Sequence, residues 1–304
     1  MNYRTKRKIK KYLFVYSLLA YSIISFLIFY VFVNAKSIAM AFQEMDEFGN
    51  AKFVGLKNIK EFFANLSESA TDPTIRTAVK NSLINFVMGY VGLPICVLIA
   101  YYIFKKQPFY GVYRFIVMIP QIVSGFVLCL VFFVFVEDAT PSIMGRFFGY
   151  ENFPNLLGDA RYTYGTTVFY SIWSGLAFSI LLYTNAMQAV EPSILESARL
   201  DGCNYFQELW HIILPLMLGT ISVGVITGIG AIFTAGGPLL AFWEYNAPPE
   251  TTNIGYYFTQ QVMRNKENPV GYPLLSAMGL VFTAVSLPIT LLVKKLFDKI
   301  TPEV

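Results

Sequence analysis

The sequence predicts an all-α integral membrane protein with six transmembrane helices, and two observations carry that prediction. Hydrophobic residues make up 55% of the 304-residue chain and charged residues only 14%, with a mean hydropathy of +0.52. Soluble domains run nearer a quarter charged. Six apolar runs are long enough to cross a hydrocarbon core, which takes about 20 helical residues. They are continuous and lack period-two alternation, which selects helices over a barrel.

The first run, near Tyr12–Val33, follows a basic segment with Arg4, Lys6, Arg7, Lys8, Lys10 and Lys11. Val33–Asn34–Ala35 loosely fits a cleavage site. The run is too long for the core of a signal peptide and five more follow, so it reads as an uncleaved anchor. An outer loop from about Asn34 to Lys80 comes next. Within it Phe53–Phe63 places Phe53, Leu56, Ile59, Phe62 and Phe63 at helical spacing, which predicts an amphipathic surface helix. Asp72–Pro73 then breaks the chain before the second run, near Leu83–Phe104.

A short basic turn, Lys105–Arg114, leads to a third run near Phe115–Val136 containing Pro120. The fourth lies near Tyr164–Met187, the fifth near Leu214–Phe233 and the sixth near Leu274–Val293, with Pro288 inside. Proline in a span removes a backbone donor and kinks the helix, more often for packing than for passage. Gly224-x-x-x-Gly228 and Gly230 in the fifth run allow close helix approach, most simply within one subunit. Ala235–Gly236–Gly237–Pro238 ends that run.

Charge sets the orientation. With six spans, the side of the N-terminus carries 13 Lys and Arg against 6 Asp and Glu, and the other side 10 against 13. The basic side is cytoplasmic by the positive-inside rule, giving an N-in/C-in topology.

Much chemistry is excluded. No phosphate-binding G-x-x-x-x-G-K-[ST], G-x-S-x-G, H-E-x-x-H or G-x-G-x-x-G sequence occurs. The single histidine, His211, and the scattered Cys96, Cys129 and Cys203 make no metal or disulfide framework. Ionisable residues are nearly absent from the spans, with Lys80 near one end, which argues against a proton or sodium relay. Uphill transport then needs energy from a partner.

The most informative segment is the polar insert at residues 191–215, between the fourth and fifth runs. Glu191–Pro192–Ser193 starts a short helix with an apolar stripe at Ile194, Leu195, Ala198 and Leu200. Asp201–Gly202 interrupts it, glycine permitting a positive φ. A second short helix, Cys203–Ile212, presents Tyr205, Phe206, Leu209 and Trp210 before Leu214–Pro215 opens the next run. By composition alone this is an interfacial helix with a turn.

The pattern Glu196-Ser197-Ala198, Asp201-Gly202, Leu214-Pro215 resembles the EAA loop of ATP-binding-cassette importer permeases, E-A-x-x-x-D-G closing on I-x-L-P. Six residues from Glu196 to Gly202 and twelve from Gly202 to Leu214 agree with that family. Ser197 and Cys203 depart mildly from its usual alanines. Phe53–Asn58 (FVGLKN), Arg114–Pro120 (RFIVMIP), Gly236–Pro238 and Gly271–Ala277 resemble elements of its sugar-importer branch, which includes the maltose and glycerol-3-phosphate permease subunits.

This resemblance implies a type I importer permease: residues 1–74 as basic segment, first span and outer loop, 75–297 as permease domain, and 298–304 as cytoplasmic tail. It implies a transport subunit rather than an enzyme, in a bacterial or archaeal cytoplasmic membrane. The partners would be a second permease, most often a different chain, two ATPases that hold ATP and Mg, and an extracytoplasmic binding protein; this chain itself would hold no metal or cofactor. Glu196 would meet a basic residue of the ATPase, alongside Ser197 and Ala198. Asp201 and Gly202 would fix the bend, and Phe206 and Leu209 would pack the second helix. The cargo would be a carbohydrate, with a polyamine, phosphate or peptide as the alternative and a secondary carrier less favoured. Polar and aromatic residues within the spans give the candidate substrate path: Gln121, Ser124, Ser171, Trp173, Phe178, Tyr183 and Thr227. The stretch from Pro215 to Gly236 is shorter than the family's usual one, so the family's sugar contacts there are not carried over.

Overall fold

A computed structural model describes residues 3–67, 73–150, 153–266 and 268–300. Asp72 of the predicted chain break, and Glu303 of the charge count, lie outside them. Six helices among the described residues are long and apolar enough to cross a membrane: Phe14–Met40, Thr74–Phe104, Gly125–Phe148, Ala160–Gln188, Tyr205–Ala231 and Pro269–Ile300. The chain divides into two compact units, residues 1–64 with 262–283, and residues 65–261 with 284–304.

In the first unit, helix α1 (Tyr3–Ser25) passes through a π turn (Phe26–Phe32) into α2 (Val33–Met40). A two-stranded antiparallel hairpin follows, β1 (Gln43–Met45) pairing with β2 (Ala51–Phe53) in the register Gln43↔Phe53. Its loop is closed by Asp46, which accepts from the backbone N–H of Phe48 and Asn50, while Gly49 takes a positive φ of 82°. A further bond from the Asn50 side chain helps hold the Asp46 carboxyl below its ordinary range.

The predicted amphipathic helix is α3 (Lys57–Asn65), shorter than expected. Phe53 falls in β2 and Leu56 precedes the helix, and both are exposed along with Phe63. Phe62 alone of the predicted stripe is fully buried, edge-on to Phe282 at 5.4 Å. The anchor that pattern reading missed is Asn58. Its buried carboxamide donates to the carbonyls of Ala41 and Gln43 at 3.0 and 2.7 Å.

The second unit is built on α9 (Ala160–Gln188). Around it pack α4 (Thr74–Val91), α5 (Leu93–Phe104), α6 (Tyr110–Ile122) and α12 (Leu214–Ala231). Helix α9 buries three threonines, Thr163, Thr167 and Thr184. Each hydroxyl donates to the carbonyl four residues back, at 2.6–2.7 Å. A polar residue satisfied by its own helix can be buried in an apolar setting at little cost.

Gly224 and Gly228 serve packing within the chain, as the sequence suggested. The Tyr90 hydroxyl of α4 donates to the Gly224 carbonyl at 3.1 Å, and a Cβ on Gly228 would collide with it.

Two predicted elements are corrected. The third run is not one helix: α6 ends at Ile122, Val123 and Ser124 take extended ψ of 138° and 133°, and α7 (Gly125–Val134) restarts. Pro120 lacks the N–H that would support the last turn of α6. The span itself runs through α7, a π turn (Phe135–Ala139) and α8 (Thr140–Phe148). The second helix of the insert is not separate either. After α10 (Pro192–Leu200), α11 (Tyr205–Glu208) continues through a π turn (Leu209–Ile213) into α12. The wider turn sits just before Pro215, where a missing donor would otherwise break the ladder. Beyond α12 come α13 (Leu239–Trp243), α14 (Ile254–Arg264) and α15 (Tyr272–Ile300), the last two passing through both units.

Candidate functional site

The insert turns on four residues capped from both sides. Gly202, at φ +81°, ends α10: its N–H donates to the Arg199 carbonyl and that of Cys203 to the Ala198 carbonyl. This paired closure is the Schellman motif, which requires a left-handed residue at that position. Asn204 then opens α11 with a reciprocal capping box to Gln207, at 2.9 and 3.0 Å. Back-to-back caps make the turn a rigid corner.

The corner presents two chemistries. Leu195, Ala198 and Leu209 face inward, the two leucines joining the apolar core formed by α5, α9 and α12. Glu196, Ser197, Asp201 and Gly202 are exposed. So are Leu200 (89%), Phe206 (69%) and Trp210 (59%), the last two stacked at 6.2 Å and 5°. Of the apolar stripe, Leu195 and Ala198 are buried while Ile194 and Leu200 are exposed. Phe206, expected to pack the second helix together with Leu209, is exposed and stacks on Trp210 of the same helix.

Beneath the corner lies a charge pair whose members entered the sequence reading only through the charge count that sets topology. Lys105, just beyond α5, meets Glu208, and the two side chains are 5% and 2% exposed. The single Tyr101 O–H is shared between the Tyr205 carbonyl at 3.0 Å and Glu208 Oε1 at 3.3 Å. The Lys105 ammonium also lies 5.5–5.6 Å from the rings of Tyr101, Phe104 and Tyr205. The available signal was register: Glu208 precedes the inward-facing Leu209 on a helix.

A cavity of about 710 Å³ opens where the third run breaks. Gln121 and Val123 line it from the end of α6, Gly125 and Cys129 from α7, Tyr170, Ser171 and Ser174 from α9, and Gly237, Pro238 and Ala241 from beyond α12. Both stretches of non-helical backbone, Val123–Ser124 and the Gly237–Pro238 turn, meet here. Irregular backbone within a membrane is tolerated where it lines a cavity. None of the lining residues is Asp, Glu, Lys, Arg or His. The polar groups are carboxamide, hydroxyl, thiol and backbone, with the Cys129 thiol 3.0 Å from the Tyr170 hydroxyl. Behind Tyr170 an aromatic wall contains Phe132, Trp173 and Phe242, with ring centroids 4.8–6.1 Å apart.

Of the predicted substrate-path residues, the cavity therefore gathers Gln121 and Ser171. Ser124 sits at the break without lining the space, and Trp173 stands behind Tyr170. Tyr183 is buried in the core shared with α5, Phe178 is exposed elsewhere on α9, and Thr227 is exposed on α12, its hydroxyl donating to the Val223 carbonyl. Those three therefore lie outside this cavity. Tyr170, Cys129 and Ser174 were missed. Lys80 lines a second cavity of about 500 Å³ with Asn81, Tyr164 and Glu250.

The chain resembles known proteins over nearly its whole length. The arabinooligosaccharides transport system permease protein AraP of Bacillus subtilis is 27% identical across 90% of this chain and 85% of its own. The polygalacturonan/rhamnogalacturonan transport system permease protein YteP of the same organism is 26% identical over 95% and 89%. The fold matches the crystal structure of a bacterial transporter that imports the acidic polysaccharide alginate, with a TM-score of 0.78 at 21% identity, over 98% of this chain and 100% of that one. Residues 92–303 match the family model for the binding-protein-dependent transport system inner membrane component, so this chain is a multi-pass membrane protein that belongs to that family.

Proposed function

We propose that the chain is one permease subunit of an ATP-driven importer of a carbohydrate, an oligosaccharide in size. It forms half of the path, with a second permease as the other half. Two ATPase subunits dock on the insert and an extracytoplasmic binding protein delivers the cargo. In this reading both termini and the insert face the cytoplasm of a bacterium or archaeon. ATP and Mg belong to the ATPases, and this chain performs no covalent chemistry.

The observation that carries the reading is the capped corner with Leu200, Phe206 and Trp210 exposed beside Glu196 and Asp201. Large apolar side chains grouped on a rigid polar insert mark a protein contact. ATP-bound ATPases that prefer one arrangement of the spans would shift the subunit toward it by that difference in affinity. The uncharged cavity favours a hydroxyl-rich solute over polyamine or phosphate, since a buried ion needs a compensating charge. The relative named for arabinooligosaccharides, which are neutral saccharides, supports the same choice.

The test is uptake by liposomes holding this chain with its co-expressed second permease and ATPases, supplied with binding protein, ATP and a panel of labelled oligosaccharides. Accumulation that needs ATP and the binding protein supports the reading. Accumulation of polyamine, phosphate or peptide and of no saccharide contradicts it.

A further inference from the structure

The insert is continuous in the chain with α9 and α12, so those two helices follow it by covalent connection. Helix α5 does not: it lies a hundred residues earlier and must be held by contact. Apolar packing against Leu195 and Leu209 supplies attraction, but such contacts are weakly directional. A charged pair with further hydrogen bonds fixes distance and register.

From this we infer that Lys105 and Glu208 are positioning residues that lock α5 to the insert, carrying its movement to a helix the chain does not connect to it. The inference rests on the permease reading above. Three features support it. The pair is almost fully buried on the inner side of the corner, away from the exposed face that includes Glu196. The Tyr101 O–H, one turn back, is shared between the Tyr205 carbonyl and the Glu208 carboxylate, so α5 meets the insert at a second point beside the ion pair. And a buried ion pair adds little net stability over an apolar pair of the same size, which points to a role in register rather than in holding the fold.

The test uses the whole complex in liposomes and reads substrate moved per ATP hydrolysed. The apolar double variant Lys105→Met/Glu208→Leu leaves no buried charge unpaired and keeps the chain in the membrane with its ATPases. Its ratio should fall about tenfold while hydrolysis continues, within what loss of a coupling contact does. The exchanged pair Lys105→Glu/Glu208→Lys should recover at least half of the lost ratio. If the apolar double variant fails to assemble, Tyr101→Phe, which removes one hydroxyl, should lower the ratio by about threefold, the scale of one hydrogen bond. A wild-type ratio in the apolar double variant, or in Tyr101→Phe where the double does not assemble, overturns the inference. Absence of ATP-driven uptake by the wild-type complex is a different result and overturns the permease reading instead.

Discussion

The insert and the cavity both place polar groups inside an apolar protein, and they do it in opposite ways. Beneath the insert the groups are charged, paired and closed off: Lys105 against Glu208, whose carboxylate also accepts from the Tyr101 hydroxyl. At the cavity they are uncharged and open, supplied by Gln121, Ser171, Ser174 and Tyr170 and by backbone freed from helical pairing. A fixed charge is useful where parts must keep register and nothing passes. Along a path it would hold one solute too strongly and demand a counter-charge. The same contrast appears in the backbone. The insert is over-determined by two caps, whereas the cavity is made where α6 stops short.

The strongest test of this contrast is Glu196→Lys combined with Gly202→Asp. The first reverses an exposed charge, and the second puts a side chain at φ +81°. Uptake should fall by about a hundredfold, as for loss of an interface hot spot, with the amount of chain in the membrane unchanged. Quantitative blotting beside the uptake assay separates the two effects.

Next in size is the single change Glu208→Ala, which strands the Lys105 ammonium. Breaking one half of a buried pair costs about 3–5 kcal/mol, so the unfolding midpoint of the purified subunit should drop well below that of Lys105→Met/Glu208→Leu. Equal midpoints would mean that the pair is solvated, contrary to its burial.

Bringing a charge to the uncharged region erases the difference directly. Ser171→Lys should cost about 3 kcal/mol for a charge near a helix centre and stop uptake of uncharged saccharides. Unimpaired uptake by this variant would show that the space is not on the path. The smallest expected effect is that of Gln121→Leu or Tyr170→Phe. Each removes hydrogen bonding worth about 1 kcal/mol, raising the half-saturating substrate concentration several-fold while leaving substrate moved per ATP unchanged. A changed ratio would mean that cavity and insert are not separable.

Much of this arrangement was legible in the residues. The apolar runs place the helices, and Asp201–Gly202 places the corner, because glycine is the residue suited to the left-handed position that closes α10. What escaped reading depends on contacts distant in sequence. Pro215 looked like the start of a span because the π turn that lets the helix run through it has no composition of its own. The third run looked continuous because Val123 and Ser124 are as apolar or as small as a helix allows. Tyr183, Phe178 and Thr227 were candidates by chemistry alone, and the packing of α9 and α12 leaves them outside the cavity. Glu208 was one charge in a topology count, and its ion pair emerges only once α5 is placed against it.

The most direct measurement of the central claim is ATP-driven oligosaccharide accumulation by liposomes carrying the complete complex, with wild-type chain or with Glu196→Lys/Gly202→Asp at equal membrane content. The corner as ATPase docking element predicts accumulation by the wild type and none above background by the variant. Accumulation by the variant at the wild-type rate would contradict it.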